Sequence, residues 1–158
     1  MKALATKTLL LFLFLVSPCL SQSDLSIKMY GDFPKNLKVT VTQAAPLVGE
    51  HLKINVAISP SGKSNVTVPS PLLPWNGCDT PFYFVVIIEG RGFVVPQYCA
   101  SPYPGPDVVL KSGHTERHTF TFNVPELKGK SPKKNIINFL WLVRHSKGNG
   151  QSGIVEIK

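Results

Sequence analysis

The chain has 158 residues, of which 43% are hydrophobic and 16% charged, values that correspond to one ordinary domain with a buried core. Its formal net charge is +8. Beyond residue 21, the whole excess of Lys and Arg over Asp and Glu lies after residue 110. No aromatic side chains are interleaved with the clustered lysines of that region as a stacking platform requires, which excludes nucleic acid as the expected partner.

The first residues follow the order of a secretory signal peptide. Lys2 and Lys7 form a basic start, Leu9–Val16 is a short apolar run, and Ser17–Ser21 supplies helix-breaking and small residues. The apolar run is too short to span a bilayer as an anchor. The pattern therefore predicts a cleaved leader at residues 1–21 and no stable membrane anchor.

Removal of the leader leaves residues 22–158, which we expect to form a single exported domain, secreted or periplasmic. Pro18 stands where a lipoprotein signal has a small residue, which argues against lipidation of Cys19.

Strand patterns fill most of the remaining chain. Apolar and polar residues alternate over Leu37–Thr42 and over His51–Ile58, which predicts two half-buried strands. Phe82–Ile88 is apolar on both faces, as expected of a central strand. Further strands are predicted at Asn65–Val68, Val108–Leu110, Thr119–Val124, Ile136–Val143 and Ser152–Ile157.

A hairpin with a two-residue turn is predicted after the central strand, within Glu89–Gly92, where Gly90 is free to take a positive φ. Pairing of Ile88 with Phe93 would bring Cys78 and Cys99 to the open end of this hairpin. Because these are the only cysteines outside the leader, we expect a disulfide between them, worth about 3 kcal/mol in the chain-entropy model.

About seven to nine short strands, with turns about every 8–12 residues and no helical period, predict an all-β fold, an antiparallel β-sandwich. Along the chain a strand is followed by a Gly-Glu-led strand, a Pro-rich crossover, a long apolar strand, a Ser-Gly-led Thr/Phe strand and a closing Trp hairpin. This order resembles small immunoglobulin-like sandwiches, including proteinase-inhibitor sandwiches and the N-terminal sandwich domains of some secreted metalloproteases.

The resemblance covers most of residues 25–158 and implies an immunoglobulin-like sandwich, but it is one of layout. No family motif matches residue by residue, so no functional residue is carried over. The Cys-Trp-Cys spacing of antibody domains is absent, because Trp75 precedes both Cys78 and Cys99.

The Pro-rich segment Val68–Trp75 has two interpretations. As a rigid extended loop it would present Leu72, Leu73 and Trp75 to a partner at little entropic cost. As a crossover between sheets it would use the same side chains to plug one end of the core, which is the usual place of large apolar residues.

Three ionisable side chains, His114, Glu116 and His118, would point to one face of an extended strand and form a possible three-ligand metal site. The same face continues as Phe120, and the segment follows a Gly turn, so exposure of the histidines at the mouth of the strand is the alternative. Their order differs from the helical His-Glu-x-x-His motif, so a metalloprotease is not implied.

Four lysines cluster in one polar stretch: Lys128, Lys130, Lys133 and Lys134. They form either a patch for an anionic partner or a solvated loop that keeps the domain soluble. Asn65-Val66-Thr67 fits an N-glycosylation acceptor, which matters only in a eukaryotic secretory route.

No serine lies in a Gly-x-Ser-x-Gly elbow, and the acidic residues Asp79, Glu89 and Asp107 are separated by strand lengths. The chain is therefore expected to be a non-enzymatic binding module without a cofactor, whose partner is another protein or an anionic surface. Two alternatives remain, an inhibitor of a proteinase or other hydrolase, and a metal-binding or enzymatic protein that uses His114, Glu116 and His118.

Overall fold

The computed structural model describes residues 33–76, 80–95, 105–144 and 150–158. These residues form nine β-strands: β1 (Leu37–Gln43), β2 (His51–Pro60), β3 (Val66–Val68), β4 (Phe82–Ile88), β5 (Arg91–Val94), β6 (Val108–Leu110), β7 (Glu116–Asn123), β8 (Ile137–Val143) and β9 (Gln151–Glu156). Two 3₁₀ turns span Ser70–Leu72 and Pro125–Leu127, and the described segments contain no α-helix.

The strands form three antiparallel sheets. A three-stranded sheet has the order β1-β2-β7, a four-stranded sheet has the order β5-β4-β8-β9, and β3 pairs with β6. The predicted all-β antiparallel architecture is confirmed, and β4 occupies the central position that its apolar sequence indicates.

Alternation of side chains explains the strands. In β1 the apolar residues Leu37, Val39 and Val41 are buried while the intervening polar residues are exposed, and β2 follows the same rule. Since successive side chains of a strand point to opposite faces, each strand presents one apolar face to the core.

The two larger sheets face each other across an aromatic core. The ring of Phe84 on β4 lies 5.4 Å, centroid to centroid, from the rings of both Phe122 on β7 and Phe139 on β8. Phe122 and Phe139 are 5.7 Å apart and stacked. Side chains of both sheets therefore share one buried cluster, an arrangement consistent with a β-sandwich.

The β4–β5 hairpin differs from its predicted register. Ile88 pairs with Arg91, not with Phe93, whose partner is Val86. The turn consists of Glu89 and Gly90 alone, with φ of 50° and 82°, the two positive values of a type I′ turn. The predicted pairing is wrong by two residues because Glu89 adopts a left-handed conformation that is uncommon for a residue with a side chain.

Several sequence-based predictions lie outside the described residues. These are the leader at residues 1–21 and the two cysteines Cys78 and Cys99. Within the described residues, no helix is long and apolar enough to cross a membrane.

Candidate functional site

The Pro-rich crossover buries two of its three large apolar side chains. Leu72 and Leu73 are 0% exposed and belong to the core cluster, at and just after the 3₁₀ turn Ser70–Leu72. For these two leucines the geometry is that of a core plug, because neither presents any surface to a partner.

Trp75 is half-buried and stacks on a histidine. Its ring lies 5.7 Å from the ring of His118 at an interplanar angle of 20°, and His118 in turn lies 4.9 Å from Phe120. The indole thus packs against the core beside β7, while His118 itself remains exposed.

The three candidate metal ligands, His114, Glu116 and His118, are not brought together as a group of described residues. Strand β7 begins at Glu116, so His114 lies in the preceding turn, where its backbone N–H donates to Lys111 O at 3.1 Å. The ring of His118 packs against the rings of Trp75 and Phe120. In the described part of the chain, no group of three or more His, Cys, Asp or Glu side chains is placed to hold a metal ion.

The four clustered lysines are exposed on an ordered loop between β7 and β8. Leu127, fully buried, anchors its start, and Gly129 turns the chain with a φ of 72°. The N–H groups of Lys134 and Asn135 both donate to Ser131 O, at 2.9 and 2.8 Å. We call residues 128–135 the basic loop.

The basic loop is held against the β4–β5 turn by one carboxylate. Asn135 Nδ2 donates to Glu89 Oε1 at 2.6 Å, and Lys130 Nζ lies 4.0 Å from Glu89 Oε2. Glu89 N–H also donates to Ile136 O at 3.0 Å. The other three lysines form no ion pair with described residues, so most of the positive charge of the loop is available to a partner.

A surface that the sequence did not single out lies on the outer face of the four-stranded sheet. Eight outward positions on the four strands are apolar: Tyr83, Val85 and Ile87 on β4, Val94 on β5, Leu140 and Leu142 on β8 with Ile136 just before it, and Ile154 on β9. We call these eight residues the apolar face. Three polar residues, Asn138, Ser152 and Glu156, lie on the same side of the sheet.

The strand register aligns four members of the apolar face in one row. Val85 pairs with Val94 on one side and with Leu140 on the other, and Leu140 pairs with Ile154. A continuous line of branched side chains therefore crosses the whole sheet.

Exposure separates this face from an ordinary strand surface. Of six large hydrophobic side chains exposed in the described residues, four lie here: Val94 at 73%, Ile136 at 73%, Ile154 at 53% and Leu142 at 36%. The outer face of the three-stranded sheet is instead polar, with Lys38, Lys53 and Arg117 among its exposed residues.

The apolar face and the basic loop adjoin. Ile136, a member of the face, directly follows Asn135, the last residue of the loop. One end of an apolar surface is therefore bordered by lysines.

One signal in the sequence pointed to this surface. Phe82–Ile88 and Ile136–Val143 are apolar at both alternating sets of positions, which predicts strands buried on both faces. In the structure their second face is the apolar face, on which Ile136 and Leu142 are exposed while the Tyr83 hydroxyl is buried.

Comparisons with known proteins do not assign the chain to a family. No family model matches the chain, and no curated protein matches it in sequence. Among solved structures it is similar to Spo0M, a sporulation control protein from Bacillus subtilis, with 13% identity and a TM-score of 0.42. The match covers 78% of this chain and 49% of that one, so the chain spans about half the length of the matched structure.

Proposed function

We propose that this protein is an exported, non-enzymatic binding module whose partner is a protein that docks on the apolar face and the adjoining basic loop. The observation that carries this proposal is the row of apolar side chains across the four-stranded sheet, with Val94 and Ile154 more than half exposed at its two ends. Contiguous exposed apolar patches on soluble proteins mark interaction sites more often than isolated apolar residues do.

The size of the surface supports a protein partner. Four strands spaced by about 4.8 Å and about seven residues long give a face of roughly 15 by 20 Å, or about 300 Å². A standard interface buries about 800 Å² on each side, with an apolar centre and a polar rim. The apolar face supplies such a centre, and the basic loop supplies part of the rim.

The charge of the loop specifies the partner further. Lys128, Lys133 and Lys134 have no ion-pair partner among the described residues, so no described carboxylate compensates their charge. A partner with acidic side chains beside an apolar surface would complement both features, because opposite charges at a rim accelerate association and select the orientation.

Two finer features belong to the same proposal. The sandwich is immunoglobulin-like, and the Cys78–Cys99 disulfide closes its β4–β5 hairpin. The facing three-stranded and four-stranded sheets support the first, and the pair of cysteines that flank the hairpin supports the second.

Export rests on the basic and apolar order of residues 1–21. Intact-mass analysis of the exported protein should show the loss of about 21 residues. A secreted form that retains Met1, or one that carries lipid on Cys19, would overturn the proposed soluble export.

Docking on the apolar face is tested by a matched pair of substitutions. Ile154→Glu places a charge in the row, whereas Val109→Glu places the same charge on β6, at a residue with almost the same exposure, 52% against 53%. Affinity capture from the native exported fraction should recover a partner with the wild-type protein and with Val109→Glu, but not with Ile154→Glu. Thermal unfolding of both variants checks that neither has lost its fold.

Equal capture by the two variants would contradict the proposed face. Sedimentation of the purified protein distinguishes a second copy of this chain from a different partner. A dimer that Ile154→Glu dissociates would mean that the face binds its own copy, which contradicts a heterologous partner.

The role of the loop is tested separately. Lys133→Glu combined with Lys134→Glu should slow association and weaken its dependence on salt, since the charges act at long range. The control is Lys38→Glu combined with Lys63→Glu, which changes the net charge by the same amount at two exposed lysines outside the basic loop. The same effect from this control would assign the loss to net charge and not to the basic loop.

A further inference from the structure

We propose that Asn65 carries an N-linked glycan, a modification that rests on the proposed export and requires a eukaryotic secretory route. Asn65-Val66-Thr67 is the acceptor triplet, and Asn65 lies just before β3. The structure adds the local geometry that decides whether a glycan fits there.

The backbone of the triplet is extended, so its first and third residues share a face. Val66 and Val68 are buried at 6% and 0%, while Asn65 and Thr67 are both exposed. The acceptor amide and the hydroxyl of the triplet therefore face solvent together, and the intervening valine anchors them to the core.

The orientation of the Asn65 amide is set by one hydrogen bond. Its Oδ1 accepts from the backbone N–H of Ser112 at 2.9 Å. Because that partner is a donor, the oxygen must face it, and Nδ2 points away from Ser112.

Attachment is compatible with this bond. A glycan replaces one hydrogen of Nδ2 and leaves Oδ1 free to accept, so the contact with Ser112 persists in the modified protein. The residues from Ser61 to Asn65 are all exposed, and no atom lies within 4 Å of the Cβ position that a side chain at Gly62 would have. The acceptor therefore lies at the end of a run of exposed residues.

The chemical step is a glycosyl transfer from a lipid-linked diphosphate oligosaccharide. The bond between Nδ2 and the anomeric carbon of the sugar forms as the bond between that carbon and the phosphate oxygen breaks. The lipid diphosphate leaves with the electron pair, and one Nδ2 proton is released to solvent. No oxidant or reductant is needed.

The glycan would lie beside the unpaired edges of β3 and β6, where another chain could add a strand. Thr67 pairs with Val109 on β6, and Val109 is 52% exposed on the same side of this two-stranded sheet. In the described residues β3 and β6 pair only with each other, so each leaves one edge open. A sugar chain beside these edges hinders intermolecular strand pairing.

The test uses the full chain expressed in a eukaryotic secretory host, once with its own residues 1–21 and once with a heterologous leader in their place. Wild-type protein should carry one oligosaccharide, released by peptide N-glycosidase with conversion of Asn65 to Asp. Asn65→Gln and Thr67→Ala should abolish the modification completely, whereas Thr67→Ser, which keeps the hydroxyl, should retain it.

The two leaders separate the two proposals. Secreted protein with an unmodified Asn65 under the heterologous leader would overturn the glycan. If that version is modified while the version with residues 1–21 stays in the cell unmodified, the acceptor assignment stands and the proposed export falls.

Discussion

The side chain of Gln151 completes the edge of a strand in the opposite sheet by bonding to the backbone at Val39. Its Oε1 accepts from Val39 N–H at 2.9 Å, and its Nε2 donates to Leu37 O at 2.6 Å. Since β1 and β9 are edge strands of the two larger sheets, one amide joins the sheets where hydrogen bonding between strands stops. Gln43 makes an equivalent pair of hydrogen bonds, with the backbone N–H and C=O of Lys158. We call this junction of β1 and β9 the seam.

Gln151→Ala should lower the free energy of unfolding by about 1–3 kcal/mol, because it removes two hydrogen bonds and leaves a partly buried N–H at Val39 without its acceptor. Urea unfolding measures this loss. Ser152→Ala, at the next position and on the exposed face, should change stability little. Equal losses for the two variants would show that the seam contributes nothing.

Gly153→Ala should also destabilise the fold, by about 1–3 kcal/mol through overpacking. A Cβ at Gly153 would lie 2.6 Å from Nε1 of Trp141, the residue paired with it on β8. Gly62→Ala is the control, because no atom lies within 4 Å of its Cβ position, and it should be neutral. Thermal unfolding compares the two, and a neutral Gly153→Ala would mean that the indole moves aside without cost.

The stack of Trp75 on His118 should appear as coupling in a double-mutant cycle. Trp75→Ala and His118→Ala should interact by about 0.5–1.5 kcal/mol, as aromatic pairs do. Additive losses would contradict a stabilising stack.

Tryptophan fluorescence separates the half-buried ring of Trp75 from the buried ring of Trp141. The chain has two tryptophans, and Trp141 is only 8% exposed. Trp75→Phe should therefore leave an emission that acrylamide barely quenches, whereas the wild-type protein should show a quenchable component.

Tyr83→Phe should leave stability unchanged or raise it by up to about 1–2 kcal/mol. The Tyr83 hydroxyl is buried and has no hydrogen-bond partner among the described residues, so its removal would relieve an uncompensated desolvation cost. Urea unfolding of this variant is the measurement. A clear loss of stability would show that the hydroxyl has a partner in solution.

The pairing of Cys78 with Cys99 stays a prediction from the sequence. Peptide mapping of the exported protein without reduction should recover one crosslinked pair, and replacement of both by Ala should cost about 2–4 kcal/mol. Free thiols in the exported protein would contradict it.

Much of the architecture could be predicted from the sequence, because a strand with one buried face carries a period of two. Alternation placed β1 and β2, and the apolar run placed β4 at the centre of a sheet. The hairpin register could not be predicted to the residue, because a glutamate at position 89 does not indicate a left-handed backbone.

The remaining features depend on tertiary structure, because each joins residues that are distant in the chain. No local pattern relates Gln151 to Val39, Trp75 to His118, or Glu89 to Asn135. The apolar face is the clearest case. A strand apolar on both sides has the same sequence whether its second side is covered or faces solvent, and only the packing of the sheets decides which.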